Sequence, residues 1–127
     1  MAAGELKGVQ RYEIDKAIRA AEQSSRYEFS VFVGRAEGES RPYAERLHAS
    51  LVVPDRSILL MVDPGARVLE VVTGAEARRT LNDAAVGLVV LAMQDEFAAG
   101  DLVGGLRRGI AMLAERARAP QMLHAEE

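Results

Sequence analysis

"SILLMVDPGARVLEVVT", Ser57 to Thr73, is the stretch whose reading decides the fold. Ser57 to Val62 is an unbroken apolar run bounded by polar residues, the pattern of a strand covered on both faces. "DPGA" follows, and Pro-Gly at the centre of a turn predicts a type II β-turn in which Gly65 takes the positive φ. Arg67 to Thr73 then returns as an antiparallel strand. A hairpin whose first strand needs cover on both sides requires a layer above the sheet and another below.

Working outward, the flanking segments supply those layers. "YEFSVFV" sets Tyr27, Phe29, Val31 and Val33 on one face and reads as a strand ending at Gly34. "SRPYAERLHASL", 40–51, reads as a helix with Ser40 as N-cap and Pro42 in its first turn, completing a parallel β-α-β unit with the hairpin. An earlier helix is predicted at 13–24, where Ile14, Ala17, Ile18 and Ala21 share a face. Beyond the hairpin, Gly74 breaks the strand and "AEARRTL" is a short helical piece. Asp83 is then placed to cap a third helix running to about Ala98. That helix is apolar almost all round from Ala84 to Met93, so burial against the sheet or in a subunit contact is expected. A fourth helix carries Leu102, Leu106, Ile110, Leu113 and Ala117 on one stripe and is expected to stop near Pro120, leaving a loosely held tail. The fold class is α/β: a three-layer α/β/α sandwich, Rossmann-like, with a mixed sheet containing a parallel β-α-β unit and a β-hairpin. One domain is expected over 1–127, with its core at about 13–118 and a loosely held N-terminal lead.

"FAAGDLVGGLRRGI", 97–110, carries glycines at 100, 104, 105 and 109 within a helical spacing, although each interior glycine costs roughly 1 kcal/mol relative to alanine. Gly100 suits the left-handed residue after a helix, and Asp101 suits the N-cap of the next. Gly104, Gly105 and Gly109 then remove side chains where the fourth helix lies close to a neighbour. The order matches neither the dinucleotide fingerprint nor the phosphate loop, and it follows a helix rather than a strand.

Composition removes several function classes. No cysteine is present, which excludes thiolate metal sites, disulfides and a cysteine nucleophile. Sixteen basic against nineteen acidic residues give a net charge of -3, without the basic excess of a nucleic-acid binder. No apolar stretch resembles a signal-peptide core or reaches the roughly 18 residues of a membrane span, so a soluble, cytoplasmic protein without membrane insertion is expected. His48 and His124 stand alone and read as packing or surface residues, and no Gly-x-Ser-x-Gly elbow occurs.

If strands 27–33 and 57–62 are parallel, their C-terminal ends share one edge of the sheet, where ligand crevices of open α/β sheets lie. The turn with Asp63 and Arg67, the loop with Arg35, Glu37 and Glu39, and the Gly100-Asp101 corner all converge there. Asp63 and Asp101 with Glu37 or Glu39 are candidate oxygen ligands for calcium or magnesium, although no cofactor is required. Arg67 and Arg35 are candidate anion contacts. Against both, Asp63 can simply begin a turn, Asp101 cap a helix, and the glutamates be solvated. Catalytic residues are not assigned.

Three segments in order, "SILLMVDPGARVLEVVTG", the aspartate of "LNDA" opening a helix, and "FAAGDLVGGLRRGI", resemble the TPM domain, and most closely the short actinobacterial DUF5130-type proteins. The resemblance covers roughly 13–118. It implies the same α/β/α fold and links to acid phosphatase activity, calcium binding and assistance to membrane proteins, without one agreed catalytic set. Because no acid/base or nucleophile set can be assembled from the sequence, a non-catalytic accessory or interaction module with an unidentified protein partner is the leading expectation, as a monomer or weak homodimer. The alternatives are a Ca- or Mg-dependent acid-phosphatase-like enzyme and a small-anion-sensing regulatory domain.

Overall fold

The hairpin is formed by β3 (Ser57–Asp63) and β4 (Val68–Thr73), paired antiparallel from Ile58 with Thr73 to Asp63 with Val68. The structure is a computed structural model that describes residues 1–125, with side-chain surroundings through Arg118. Every residue of β3 is buried, as its unbroken apolar run requires. On its other side β3 pairs in parallel with β2 (Glu28–Val33), which pairs in parallel with β1 (Ala2–Gly4), giving the sheet order β1-β2-β3-β4.

Alternation along the strands sends side chains to two layers. Phe29, Val31, Val33, Ile58, Leu60, Val62 and Val71 face the larger core. It is covered by α1 (Gly8–Ser25), α3 (Asp83–Ala98) and α4 (Leu102–Ala125). Leu59, Met61, Val72 and Phe32 face α2 (Ser40–Ala49) across a smaller core with Ala44, Tyr43 and Leu47. The three-layer α/β/α sandwich and mixed sheet are thus as expected. The connections β1-α1-β2 and β2-α2-β3 step in the same direction across the sheet yet lay their helices on opposite faces. Their crossovers therefore have opposite hands, and one departs from the right-handed rule.

Several expectations need correction. The N-terminal lead is not loosely held: Ala2 and Leu6 are buried, the Met1 amino group donates to the Phe29 carbonyl at 2.6 Å, and Val31 N–H donates to the Met1 carbonyl at 2.7 Å. Three residues are too few to show a period, so β1 is invisible to pattern reading. The first helix begins at Gly8 rather than residue 13, because Val9 and Tyr12 extend it as exposed residues without adding to the apolar stripe. In the hairpin turn Gly65 is not at positive φ; Arg67 is, at 58°, and the turn is not type II. Asp63 Oδ1 accepts from Ala66 N–H at 3.1 Å and Arg67 N–H donates to the Pro64 carbonyl at 3.3 Å, which closes the turn one residue later. Ser40 does not cap α2; the N-cap is Glu39 without a side-chain bond, and Ser40 Oγ donates to Glu70 Oε2 at 2.7 Å instead. Asp83 does not cap α3, because Asn82 does, its Oδ1 accepting from Ala85 N–H at 2.8 Å. Asp83 is the first helical residue, where its charge suits the helix N-terminus. Finally, α4 continues through Pro120 to Ala125, although an interior proline removes one helical N–H bond and crowds the preceding turn. Glu126, Glu127 and the side chains of 119–127, His124 among them, lie outside the described residues.

The glycines around the α3–α4 corner take different parts, and at Gly104 an added Cβ would meet the Asp101 side chain first rather than the expected neighbouring helix. Gly100 has φ +88°, Asp101 N–H donates to the Glu96 carbonyl at 3.0 Å, and Gly100 N–H donates to the Phe97 carbonyl at 2.9 Å. This is a Schellman end for α3. Asp101 Oδ1 then accepts from Gly104 N–H at 2.8 Å and caps α4. An added Cβ at Gly105 would meet the Phe97 ring, and one at Gly109 would meet the Met93 side chain, so both serve the α3–α4 contact. At Gly100 an added Cβ would meet nothing within 4 Å. Gly100→Ala is therefore expected to cost only its left-handed φ, about 1–2 kcal/mol in urea unfolding, and Gly100→Asn less than half of that. Equal losses for both would remove φ as the cause.

Candidate functional site

The C-terminal ends of β2 and β3 lie at one edge of the sheet, and the connections predicted to meet there do so. Val33 leads into the loop of Arg35, Glu37 and Glu39, Asp63 leads into the 64–67 turn, and α3 turns into α4 at Gly100-Asp101.

Asp63 is the organising polar residue of this edge. It is buried at 8% exposure, and its Oδ2 accepts from Ala36 N–H at 3.0 Å while Oδ1 serves the turn. One carboxylate thus ties the β2–α2 loop to the hairpin turn. The Ala36 N–H bond, then that from Ala66, hold the carboxyl below the usual carboxylate range; burial pushes the other way, and Gly65 N–H and the Arg35 charge assist the lowering. A lowered folded-state pKa contributes stability that is fully present above the unfolded value of about 4 and is lost as pH falls through the folded value. Asp63→Asn is accordingly expected to reduce the urea midpoint at pH 7, with the gap to the parent narrowing towards pH 3. A gap that stays constant with pH would show that the carboxylate charge plays no part.

The other acidic candidates do not join it. Asp101 Oδ1 is engaged in capping Gly104, and Glu37 and Glu39 are exposed. Among the described residues no three carboxylate or imidazole side chains come close enough to hold a metal ion. A cation there would have to compete with two backbone N–H donors for Asp63.

Between the hairpin turn and the α3–α4 corner lies a pocket of about 540 Å³ lined by Val62, Leu69, Phe97 and Leu102, with Arg67 and Gln94 among its polar groups. Arg67, one of the two anion candidates, lines it; Arg35 does not. Gln94 and Phe97 escape sequence reading because they belong to α3, whose apolar run masks the direction each residue faces. The one available signal is their three- and six-residue spacing from Leu91, which puts them near one another at the helix end.

His48 is a packing residue as read, buried at 8% exposure with Nε2 2.9 Å from the Ser57 carbonyl at the opposite edge of β3. The third helix is not buried all round within the fold, the first of its two expected surroundings: Val89 and Met93 are buried, whereas Leu88 and Leu91 are 54% and 61% exposed. A helix covering a sheet edge needs one apolar stripe, and this run supplies two. Among the described residues no helix is long and apolar enough to cross a membrane.

Comparison with known proteins adds the family. The sequence profile of a family described as a domain of unknown function, DUF5130, matches residues 6–114. Uncharacterized proteins of two Mycobacterium tuberculosis strains, CDC 1551 and H37Rv, are each 28% identical over 101 residues, 80% of this chain and 60% of theirs. The chain therefore spans about 60% of the length of these curated relatives. The NMR structure of the BA42 protein from the psychrophilic Bizionia argentinensis has a TM-score of 0.81 at 19% identity, covering 90% of this chain and 82% of that one. The N-terminal domain of a P. gingivalis protein has a TM-score of 0.78 at 19% identity, over 94% and 82% of the two chains. The N-terminal domain of the cg2496 protein from Corynebacterium glutamicum has a TM-score of 0.75 at 12% identity, over 91% and 78%. At these identities the likeness is one of fold. The DUF5130 part of the resemblance is shown, and the TPM part stays a resemblance. By the profile match over most of its length, the chain belongs to the DUF5130 family of domains of unknown function.

Proposed function

We propose that this domain is a non-catalytic interaction module that docks a protein partner through the outer face of α3. The observation that carries it is the second apolar stripe: Leu88 and Leu91, 54% and 61% exposed, flanked by exposed Ala84 and Gly87. Small residues beside two leucines let another backbone approach closely. Covering both leucines would contribute roughly 2 kcal/mol, an apolar anchor that the rest of the contact surface must add to for stable docking. Resemblance to TPM domains, with their accessory roles, supports the same reading. The metal-dependent phosphatase alternative has no such support, since its carboxylates are not grouped. Small-anion sensing has one supporting observation, Arg67 in the pocket.

The absence of native cysteine makes the test clean. Single-cysteine variants Leu88→Cys and Leu91→Cys carrying a photo-crosslinker are compared, in extract of the source organism, with Glu45→Cys on the outer side of α2. A discrete adduct from both α3 positions and none from the α2 position is expected, together with a unit-mass or twice-unit-mass peak by light scattering for the isolated protein. Equal adducts at all three positions would defeat the reading.

A further inference from the structure

We propose that the pocket between the hairpin turn and the α3–α4 corner binds an amphipathic carboxylate: an apolar body of roughly eight to twelve heavy atoms ending in one carboxyl group. The volume of about 540 Å³ lies within the range of small-molecule sites, and the position, beyond the carboxyl end of a sheet strand, is where open α/β sheets bind ligands. This goes beyond the interaction-module reading, because it concerns the end of α3 and the hairpin turn and not the Leu88-Leu91 face.

The lining selects the ligand. Val62, Leu69, Phe97 and Leu102 form an apolar wall, and all but Val62 are only partly buried. They are therefore the core residues a bound chain would finish covering. At the mouth, Arg67 is exposed and makes no ion pair among the described residues, unlike Arg41, Arg56 and Arg108. Its left-handed backbone, φ 58°, places a cation at a turn position where glycine or asparagine would be the low-strain choice. Gln94 adds an uncharged donor on the facing helix.

One guanidinium and one amide match a planar monoanion. Arginine holds a carboxylate with two parallel N–H donors. A phosphate monoester carries about -1.5 to -2 charges, which one arginine would leave partly uncompensated. The carboxylates of this edge do not take up Arg67: Asp63 accepts from the Ala36 and Ala66 N–H groups and Asp101 from that of Gly104. Arg67 is thus left for an external acid.

The test is amide chemical-shift titration of the whole chain, below micellar concentration, with decanoate, decanol, acetate and decyl phosphate. Saturable decanoate shifts at the amides of Val68, Leu69, Gly100 and Leu102 are expected, with decanol and acetate each at least about tenfold weaker. Arg67→Gln is expected to weaken decanoate by about tenfold while leaving decanol unchanged. Ala98→Trp, a substitution at an exposed lining position, fills the pocket and should abolish the shifts. Unchanged melting of both variants establishes that they are folded. No saturable shift with decanoate, or equal affinity for decanoate and decanol, overturns the site. Tighter binding of decyl phosphate than of decanoate overturns the carboxylate assignment. Either failure leaves crosslinking at Leu88 and Leu91 unaffected, so the two readings are separable.

Discussion

Gly74→Ala is expected to lower unfolding free energy by about 3 kcal/mol, because the added methyl group would meet backbone rather than a side chain that can turn away. Gly74 is buried at the end of β4, and a Cβ there would stand on the Pro54 carbonyl oxygen and 2.5 Å from the carbonyl carbon and oxygen of Asp55. What would have to yield is backbone, and it is held from both sides. Gly74 N–H donates to the Ser57 carbonyl at 2.9 Å, Glu76 N–H to the Asp55 carbonyl at 2.9 Å, and Arg78 N–H to the Gly74 carbonyl at 3.0 Å. Arg56 pairs with Glu76 at 2.8 Å across the same junction. The φ of Gly74 lies outside the left-handed region, so the expected loss is steric. Asparagine should therefore be no better than alanine here, in contrast to Gly100. Urea midpoints of the two alanine and two asparagine variants decide it; a Gly74→Ala loss below about 1 kcal/mol would mean the junction moves freely.

The contrast between these two glycines shows what was legible in the sequence. Gly100 could be read because it interrupts two apolar helical patterns, and a local break has a local cause. Gly74 could be placed at a strand end, but its near neighbour is a short 3-10 turn at Pro54–Arg56, twenty residues away, which no period announces. The same division runs through the candidate site. Apolar alternation located β2, β3 and β4, and so the edge that carries the β2–α2 loop and the hairpin turn with Asp63 and Arg67. It could not tell that Asp63 spends both oxygens on backbone N–H groups, because Ala36 and Ala66 contribute no side-chain signal. Nor could it tell that α3 turns two leucines outward. Hydrophobicity marks what can be buried, and the number of layers available decides how much is.

Met93→Ala is expected to destabilise by about 3 kcal/mol, and in that background Gly109→Ala is expected to reverse sign, from a loss to a gain of about 1 kcal/mol. Met93 is fully buried in the larger core, so truncating it removes apolar contact and leaves a cavity. In the parent, a methyl group at Gly109 would collide with Sδ of Met93 and lie 2.8 Å from its Cγ and Cε. A flexible thioether can shift only into space the core does not have, so Gly109→Ala alone should cost about 1 kcal/mol even after the helix gains its better former. Once residue 93 is alanine the same methyl group enters the vacated volume. The helix-propensity gain of about 1 kcal/mol then acts without opposition. A favourable coupling of about 2 kcal/mol in the double-mutant cycle would show that Gly109 is there to seat Met93 of α3 and not to bind phosphate. Additive losses would instead mean that Gly109 is required for some reason other than this contact. The seat matters beyond stability, since the position of α3 sets both the Leu88-Leu91 face and the Gln94 and Phe97 wall of the pocket. A variant with the repaired α3–α4 contact should therefore retain decanoate-induced shifts that Met93→Ala alone diminishes.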